Sequence, residues 1–303
     1  MKYAFFKNQI VPFEQATVGI MTHALNYGTG CFEGIRAYYN VDQQQMYILK
    51  LKEHYERLIK SAKAIHIKLG LSLKEMMDVT VELVRKNDYK EDLYIRPLVY
   101  KSEEKVGLGL IGVEDDFAIY VAPFGNYLDT SAGIKVMISK YRRISEHSMP
   151  QGAKLTGTYF NSSLAKAEAL NNGCVEAITL SHKGNVAEGS AENIFMVKKG
   201  KLITPRLSDD ILPGITRAAV MLLAKKELGI STTEKSFKPA ALFKADELFF
   251  CGTGAQVVPI GYVNKKKIGT GKMGAVTRQI QEIYFKAVKG ELAKYKSWLT
   301  PVS

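Results

Sequence analysis

The chain has 303 residues, of which 46% are hydrophobic and 24% charged, and its formal net charge is +12. That length allows two ordinary domains with cores of their own, and the composition excludes a disordered chain. No apolar run is long enough for a bilayer span, and the start MKYAFFKNQI lacks the pattern of a secretory leader.

Cys31, Cys174 and Cys251 are too few and too scattered for a disulfide framework, so a reducing, cytoplasmic location is expected. The five histidines show no metal-ligand spacing, and no zinc site is expected. The lysines are dispersed and often sit beside glutamates, as in KLKEHYERLIK. This is the pattern of a solvated surface rather than a nucleic-acid-binding face.

Residues 1–50 read as strands with turns, and from Leu51 the pattern turns helical, with Leu51, Tyr55, Leu58, Ile59 and Ala62 at three- and four-residue spacing. Ser72 and Glu75 form a capping box for a helix running to about Lys86. DLYIRPLVY and DDFAIYVAPF are strands rich in Tyr, Ile and Val. The Pro- and Gly-bearing stretch at about 122–133 is a linker, with a domain boundary near Leu128. IKVMIS then opens a second block, followed by a helix within 157–172 closed by Gly173. CVEAITL, NVAEGSAENIFMV and KLITP read as strands, joined as antiparallel hairpins by Lys183-Gly184-Asn185 and Lys198-Lys199-Gly200. LPGITRAAVMLLAKKELG feeds a helix ended by Gly229, DELFFCGT is a strand, and VTRQIQEIYFKAVKGEL is a helix.

Several of these segments offer chemistry. Leu212-Pro213-Gly214-Ile215-Thr216-Arg217 has the form of a helix N-terminus that receives a phosphate: Gly214 allows a tight turn, and Thr216 offers a cap and a hydroxyl. Gly252-Thr253-Gly254 offers a second set of N–H groups, and Arg57 a full positive charge. Either turn alone is equally an ordinary connection between elements. Lys154, among small and polar residues, suits Schiff-base chemistry if its amine is activated, though a surface lysine is the default reading. Glu188 lies where small and polar residues interrupt a buried pair of strands; it is either a hairpin-rim acid or a carboxylate facing a pyridinium nitrogen.

Taken together and in order, HALNYGTGCFEGIRAY, LKEHYERLIKSAK, LYIRPLVY, KLTGTYFNSSLAKAEAL, NVAEGSAENIFMV, LPGITR, FFCGTGAQVVPI and GAVTRQIQEIYF resemble the class IV, or fold-type IV, pyridoxal-phosphate aminotransferases. The branched-chain amino-acid aminotransferases are the nearest group. The resemblance covers nearly the whole chain. It implies an α/β chain of the α+β type: a small α/β domain over 1–128, and a larger domain over 129–303 with a β-barrel-like core, helices and the cofactor.

It also implies roles. Lys154 would be the Schiff-base lysine and proton carrier, Glu188 the partner of the pyridine nitrogen, and Tyr159 the partner of the ring's phenolic oxygen. Arg57, Ile215, Thr216 and Thr253 would hold the phosphate, with Leu212, Gly214 and Gly252 shaping the turns. Tyr94 and the Thr253-Gly254 backbone would take the substrate α-carboxylate. Tyr27, Phe32, Gly34 and Tyr127 would wall the side-chain pocket, and Arg96 would reach the distal carboxylate of glutamate. Arg36 belongs to the pocket or an interface, without a defined role. The substrates implied are branched-chain L-amino acids with 2-oxoglutarate and L-glutamate. The assembly implied is at least a homodimer, with KVGLGLIG approaching the neighbouring subunit. A D-amino-acid aminotransferase or an aminodeoxychorismate lyase would keep the same cofactor set, but Phe32-Glu33-Gly34-Ile35-Arg36 and Tyr94-Ile95-Arg96-Pro97 follow the branched-chain pattern.

Overall fold

The computed structural model describes residues 1–125, 128, 131–150 and 152–302. The chain forms two compact units: Met1–Gly125 with Ala153–Gly157 and Ala287–Ser303, and Asn126–Gly152 with Thr158–Lys286. The sequence suggests two consecutive blocks, 1–128 and 129–303. In the structure 153–157 and 287–303 pack with the first unit, because their backbones hydrogen-bond there.

The first unit holds seven strands of the N-terminal segment: β1 (Tyr3–Phe6), β2 (Gln9–Pro12), β3 (Gly30–Phe32), β4 (Ile35–Asn40), β5 (Gln45–Leu49), β6 (Leu93–Lys101) and β7 (Asp115–Pro123). With the C-terminal strand Leu299–Val302 they make one eight-stranded sheet whose pairings are all antiparallel. Its helices are α1 (His23–Tyr27), α2 (Leu51–Ala64) and α3 (Leu73–Asn87). Leu51, Tyr55, Leu58 and Ala62 of α2 and Met76, Leu83 and Val84 of α3 share one core with Ile35, Ala37, Ile48, Leu93, Ile95 and Val99 of the sheet. Burying each large apolar side chain there is worth about 1.5–3 kcal/mol.

The capping box forms as expected: Glu75 N–H donates to Ser72 Oγ, and Ser72 N–H to Glu75 Oε2. The short helix α1 replaces part of the strand reading of residues 1–50. Gly28, with φ of 66°, closes it in the left-handed region.

Pro97 sits in the middle of β6, where a proline normally breaks a ladder. On one side β6 pairs without interruption with β7. On the other, β4 ends at Ile35 opposite Ile95 and β3 resumes at Phe32 opposite Leu98. The Pro97 carbonyl accepts from Glu33 N–H on that side, so the missing donor falls at the jog between two strands.

The second unit contains β8 (Ile134–Arg142), β9 (Glu176–Leu180), β10 (Val186–Gly189), β11 (Asn193–Lys198), β12 (Lys201–Thr204), β13 (Thr232–Glu234), β14 (Glu247–Gly252), β15 (Gln256–Val263) and β16 (Lys266–Lys267). Its helices are α4 (Tyr159–Asn171), α5 (Ile215–Leu228) and α6 (Ala275–Val288). Following the pairings β10-β9-β8-β15-β14-β11 and back to β10 closes a six-stranded barrel. Alternate residues of these strands, among them Val136, Ile178, Val186, Ile194, Met196, Leu248, Phe250, Val258 and Ile260, form one core. The architecture is a mixed α/β chain with a closed barrel and helices, as the sequence suggests.

The stretch NVAEGSAENIFMV is a pair of strands broken by its small and polar residues, as the sequence suggests. Ser190–Glu192 turn the chain so that Glu188 pairs with Asn193. The Lys199-Gly200 hairpin is as expected: both residues have positive φ, and Lys198 pairs with Lys201 across them. Among the described residues, no helix is long and apolar enough to cross a membrane.

Candidate active site

In the first unit the segment around Lys154 is held on both sides. Lys154 N–H donates to Ser61 Oγ of α2 at 3.0 Å, and its carbonyl accepts from Phe32 N–H of β3 at 3.1 Å. The next residues run against Gly28–Gly30: Thr156 Oγ1 donates to the Gly28 carbonyl at 2.7 Å, and Gly157 N–H donates to the same carbonyl at 3.1 Å. A Cβ on Gly28 would lie 2.9 Å from Gly157 Cα, so the two backbones approach this closely only because both residues are glycine. Lys154 Nζ lies 4.9 Å from the centroid of the Phe32 ring.

Phe32, Gly34, Tyr94 and Arg96 form one cluster. Tyr94 and Arg96 alternate with buried Leu93 and Ile95, so they share the face of β6 away from α2 and α3. Arg96 Nη2 donates to Tyr94 Oη at 2.6 Å, and its guanidinium carbon lies 4.3 Å from the Phe32 ring centroid. Arg96 Nε is buried with no hydrogen-bond partner among the described residues. Gly34 has no side chain because a Cβ there would overlap the Tyr94 hydroxyl.

Arg57 does not stand alone as a positive charge. Its Nε and Nη2 each donate to Glu33 at 2.7 Å, and Glu33 Oε2 also meets His54 Nδ1 at 2.7 Å. Burial alone would raise the Glu33 carboxyl, but the Arg57 charge and the hydrogen bonds from Arg57 and His54 reverse that and lower it to about 2. Burial pushes His54 down. Tyr27, at the end of α1, accepts from Gly107 N–H at 3.2 Å, and Tyr127 lies outside the described residues. Arg36 is buried and donates to the carbonyls of Phe124 at 2.9 Å and Gly125 at 2.8 Å, pinning the end of the first long segment.

In the second unit Glu188, Leu212 and Gly214 are brought together through Asn193, and the Gly252 turn adjoins the same hairpin. Glu188 Oε2 accepts from Asn193 Nδ2 at 3.0 Å and from Leu212 N–H at 3.1 Å. Glu188 Oε1 pairs with Arg143 Nε at 3.1 Å. Gly214 packs so closely on Asn193 that a Cβ would overlap the amide oxygen. It is the N-cap of α5 with no side-chain cap bond, so Thr216 is not the cap as expected; it is the second residue of the helix, and buried. The first amides of α5 lack intrahelical acceptors, which makes this end a donor set for an anion. The turn after Gly252 adjoins the β10–β11 turn: a Cβ on Gly252 would lie 3.3 Å from the Ala191 carbonyl. Tyr159 is the first residue of α4, and Ser162 in the same turn accepts from Arg143 Nη1 at 3.3 Å.

Sequence reasoning missed Glu33, His54, Ser61, Arg143 and Asn193. One signal was present: His54, Arg57 and Ser61 are polar residues at helical spacing beside the apolar stripe of α2, where a solvated face would not place them. Arg143 and Asn193 had no local signal.

The family model for class IV amino-transferases matches residues 30–263. A probable branched-chain-amino-acid aminotransferase of Aquifex aeolicus is 48% identical over 302 residues, covering 100% of this chain and 97% of that protein. The crystal structure of a branched-chain aminotransferase from Thermoproteus uzoniensis with norvaline is 42% identical and superimposes with a TM-score of 0.95, covering 99% of both chains. That of a branched-chain amino acid aminotransferase from Thermobaculum terrenum in its PLP form is 37% identical, also with a TM-score of 0.95, covering 100% of this chain and 98% of that one. A third branched-chain amino acid aminotransferase, complexed with N-(5'-phosphopyridoxyl)-L-glutamate, is 35% identical with the same TM-score, covering 99% of this chain and 98% of that one. The barrel and its helices are therefore those of fold-type IV.

Proposed function

The chain belongs to the class IV aminotransferases, as a pyridoxal-phosphate-dependent branched-chain-amino-acid aminotransferase, and from that premise we propose that it exchanges amino groups between L-leucine, L-isoleucine or L-valine and 2-oxoglutarate. L-glutamate and the branched-chain 2-oxo acid are the other products of this reversible reaction. The donor sets fit the cofactor: an amine on a fixed backbone, an acceptor-only carboxylate, a helix N-terminus and a guanidinium. Bound there, the cofactor supplies an electron sink for the α-carbon of the substrate.

The protein's residues do the rest. Lys154 would hold the cofactor, and its amine, once freed by the substrate's amino group, would take the Cα proton and return it at the cofactor's C4′. Glu188 pairs with the ring nitrogen and Tyr159 with the phenolic oxygen. Arg57, the amides of Ile215 and Thr216, and Thr253 bind the phosphate, on turns shaped by Leu212, Gly214 and Gly252. Tyr94 and the Thr253-Gly254 backbone bind the α-carboxylate. Tyr27, Phe32, Gly34 and Tyr127 enclose the side chain. Of these residues, Arg57 and Lys154 belong to the first unit, and Tyr159, Glu188, Leu212, Gly214, Ile215, Thr216, Gly252 and Thr253 to the second.

The observation that carries the substrate reading is the Phe32-Tyr94-Arg96 stack. An aromatic face suits a branched aliphatic side chain, while the guanidinium lying on it suits the distal carboxylate of glutamate. One relative's complex with N-(5'-phosphopyridoxyl)-L-glutamate supports the acidic half, and the Thermoproteus relative's with norvaline, an unbranched aliphatic amino acid, supports an apolar one. We place the enzyme in the cytoplasm as a homodimer, with no nucleic-acid or membrane partner. The test is initial rates with L-leucine, L-isoleucine, L-valine and D-alanine, each with 2-oxoglutarate, alongside borohydride reduction and peptide mapping. The three L-amino acids should turn over and the label should fall on Lys154. Faster turnover of D-alanine overturns the substrate, and a label elsewhere overturns the lysine.

A further inference from the structure

Three buried acids share one region of the second unit: Glu176, Glu188 and Glu192, the first two both acting on the charge of Glu192. Two of them have a cation. Lys166 Nζ lies 2.8 Å from Glu176 Oε2, and Arg143 Nε lies 3.1 Å from Glu188 Oε1. Glu192 has no ion-pair partner among the described residues; its carboxyl accepts from Ala191 N–H at 3.1 Å. Like charges this close in a low-dielectric interior cannot all stay ionised, so the cations decide which acid keeps a proton.

Arg143 is built to make that choice for Glu188. It follows β8 directly, and its N–H is fixed to the Leu180 carbonyl at 2.8 Å. Its guanidinium is fixed by two further acceptors: the Asp210 carbonyl takes the Nε hydrogen at 3.3 Å, and Ser162 Oγ accepts from Nη1 at 3.3 Å. The opposite oxygen of Glu188 is held by Asn193 and Leu212. An ionised carboxylate can only accept; Asn193 and Leu212 donate to it, and Arg143 sets a positive charge 3.1 Å from its other oxygen. Resting on the reading of Glu188 as the partner of the ring nitrogen, we infer that Arg143 is a positioning residue: it keeps the Glu188 carboxylate ionised and in one orientation, so that the proton resides on the cofactor's ring nitrogen.

The test compares Arg143→Met, Arg143→Lys, Ser162→Ala and Glu188→Gln as holoenzymes reconstituted with cofactor labelled with 15N in the ring. The readouts are the ring 15N resonance and the separate values of kcat and KM, with circular dichroism as a control of fold. Arg143→Met should move the resonance toward the unprotonated position. It should lower kcat roughly 10- to 100-fold, the range for outer partners that orient a ligating group, with KM for the amino donor little changed. Arg143→Lys should fall between, since it keeps the charge but loses the fork that reaches Ser162 and Asp210 together. A wild-type resonance and kcat in Arg143→Met, with both altered in Glu188→Gln, overturn the role of Arg143 and leave that of Glu188 standing. Wild-type values in Glu188→Gln overturn both. If Arg143→Met does not fold, Arg143→Lys and Ser162→Ala decide: unchanged resonances in both reject the inference.

Discussion

Two buried carboxyls show how neighbours set chemistry at a single residue. Glu33 and Glu192 are both out of solvent, yet they move in opposite directions. Glu33 is gripped by Arg57 and His54 and falls to about 2. For Glu192 burial dominates, Glu176 and Glu188 add to it, and it rises from the ordinary 4.5 to about 8. The folded protein therefore keeps the Glu192 proton up to about pH 8, while the unfolded chain releases it near 4.5. Between those values the folded state binds the extra proton, so this residue's contribution to stability declines as pH rises. Glu192→Gln keeps the shape and the acceptor for Ala191 N–H without the titration. Denaturant unfolding at pH 5 and at pH 8 should show the variant gaining on the parent at the higher pH. An equal difference at both pH values would mean that Glu192 is ionised in the fold. Glu33 has the reverse sign: its contribution is complete above about 4.5 and is lost as pH falls toward 2.

Among the elements, α2 does two jobs with two stripes. Leu51, Tyr55, Leu58 and Ala62 pack into the core, while His54, Arg57 and Ser61 reach Glu33 and the Lys154 backbone. The Gly28–Gly30 segment is the other support of Lys154. Gly28 is doubly constrained, by its φ of 66° and by the approach of Gly157. Gly28→Ala should cost roughly 1–3 kcal/mol through left-handed strain and displaced backbone. Because the displaced segment carries Lys154, kcat should fall as well. Thermal unfolding and initial rates check this, and a variant with parental stability and rate would show that the approach is soft. Gly34 and Gly214 serve a different end: each makes room for a polar atom, the Tyr94 hydroxyl and the Asn193 amide oxygen.

At the scale of the molecule, the closed barrel explains why an acid, a helix N-terminus and a glycine turn separated in sequence adjoin one another. Closure pairs β10 with β11 and brings Glu188 against Asn193, and through it against Leu212 and Gly214. The first unit carries an exposed apolar surface that suits the proposed homodimer. Ile20, Leu25, Val106, Leu108 and Ile111 are 85%, 62%, 80%, 79% and 75% exposed, on two segments joined by the bridge between Thr22 and Glu104. Apolar side chains that far into solvent on adjoining loops are the kind of patch a partner copy would cover. Replacing Leu108 and Ile111 together by Asp should convert the proposed dimer to monomer, read by light scattering, without loss of secondary structure. A parental mass for the double variant would place the interface elsewhere.

Local pattern was enough to establish the helices at Leu51, Ser72 and Ile215, the alternation of β6 and β7, the hairpin at Lys199-Gly200, and, through an ordered series of motifs, the family and its cofactor. The helices, strands and hairpin are written in short spacings that periodicity and backbone sterics translate directly into structure, whereas the family rests on the resemblance of its motifs. The short helix α1 and the return of 287–303 to the first sheet depend on partners elsewhere in the chain. The ion pairs of Arg57 with Glu33 and of Arg143 with Glu188 join residues 24 and 45 positions apart. Spacing tells which face a side chain occupies, but which charge meets it there is settled only when strands and helices pack. That meeting, in a medium too apolar to leave a charge alone, is what gives each buried acid its state and each arginine its partner.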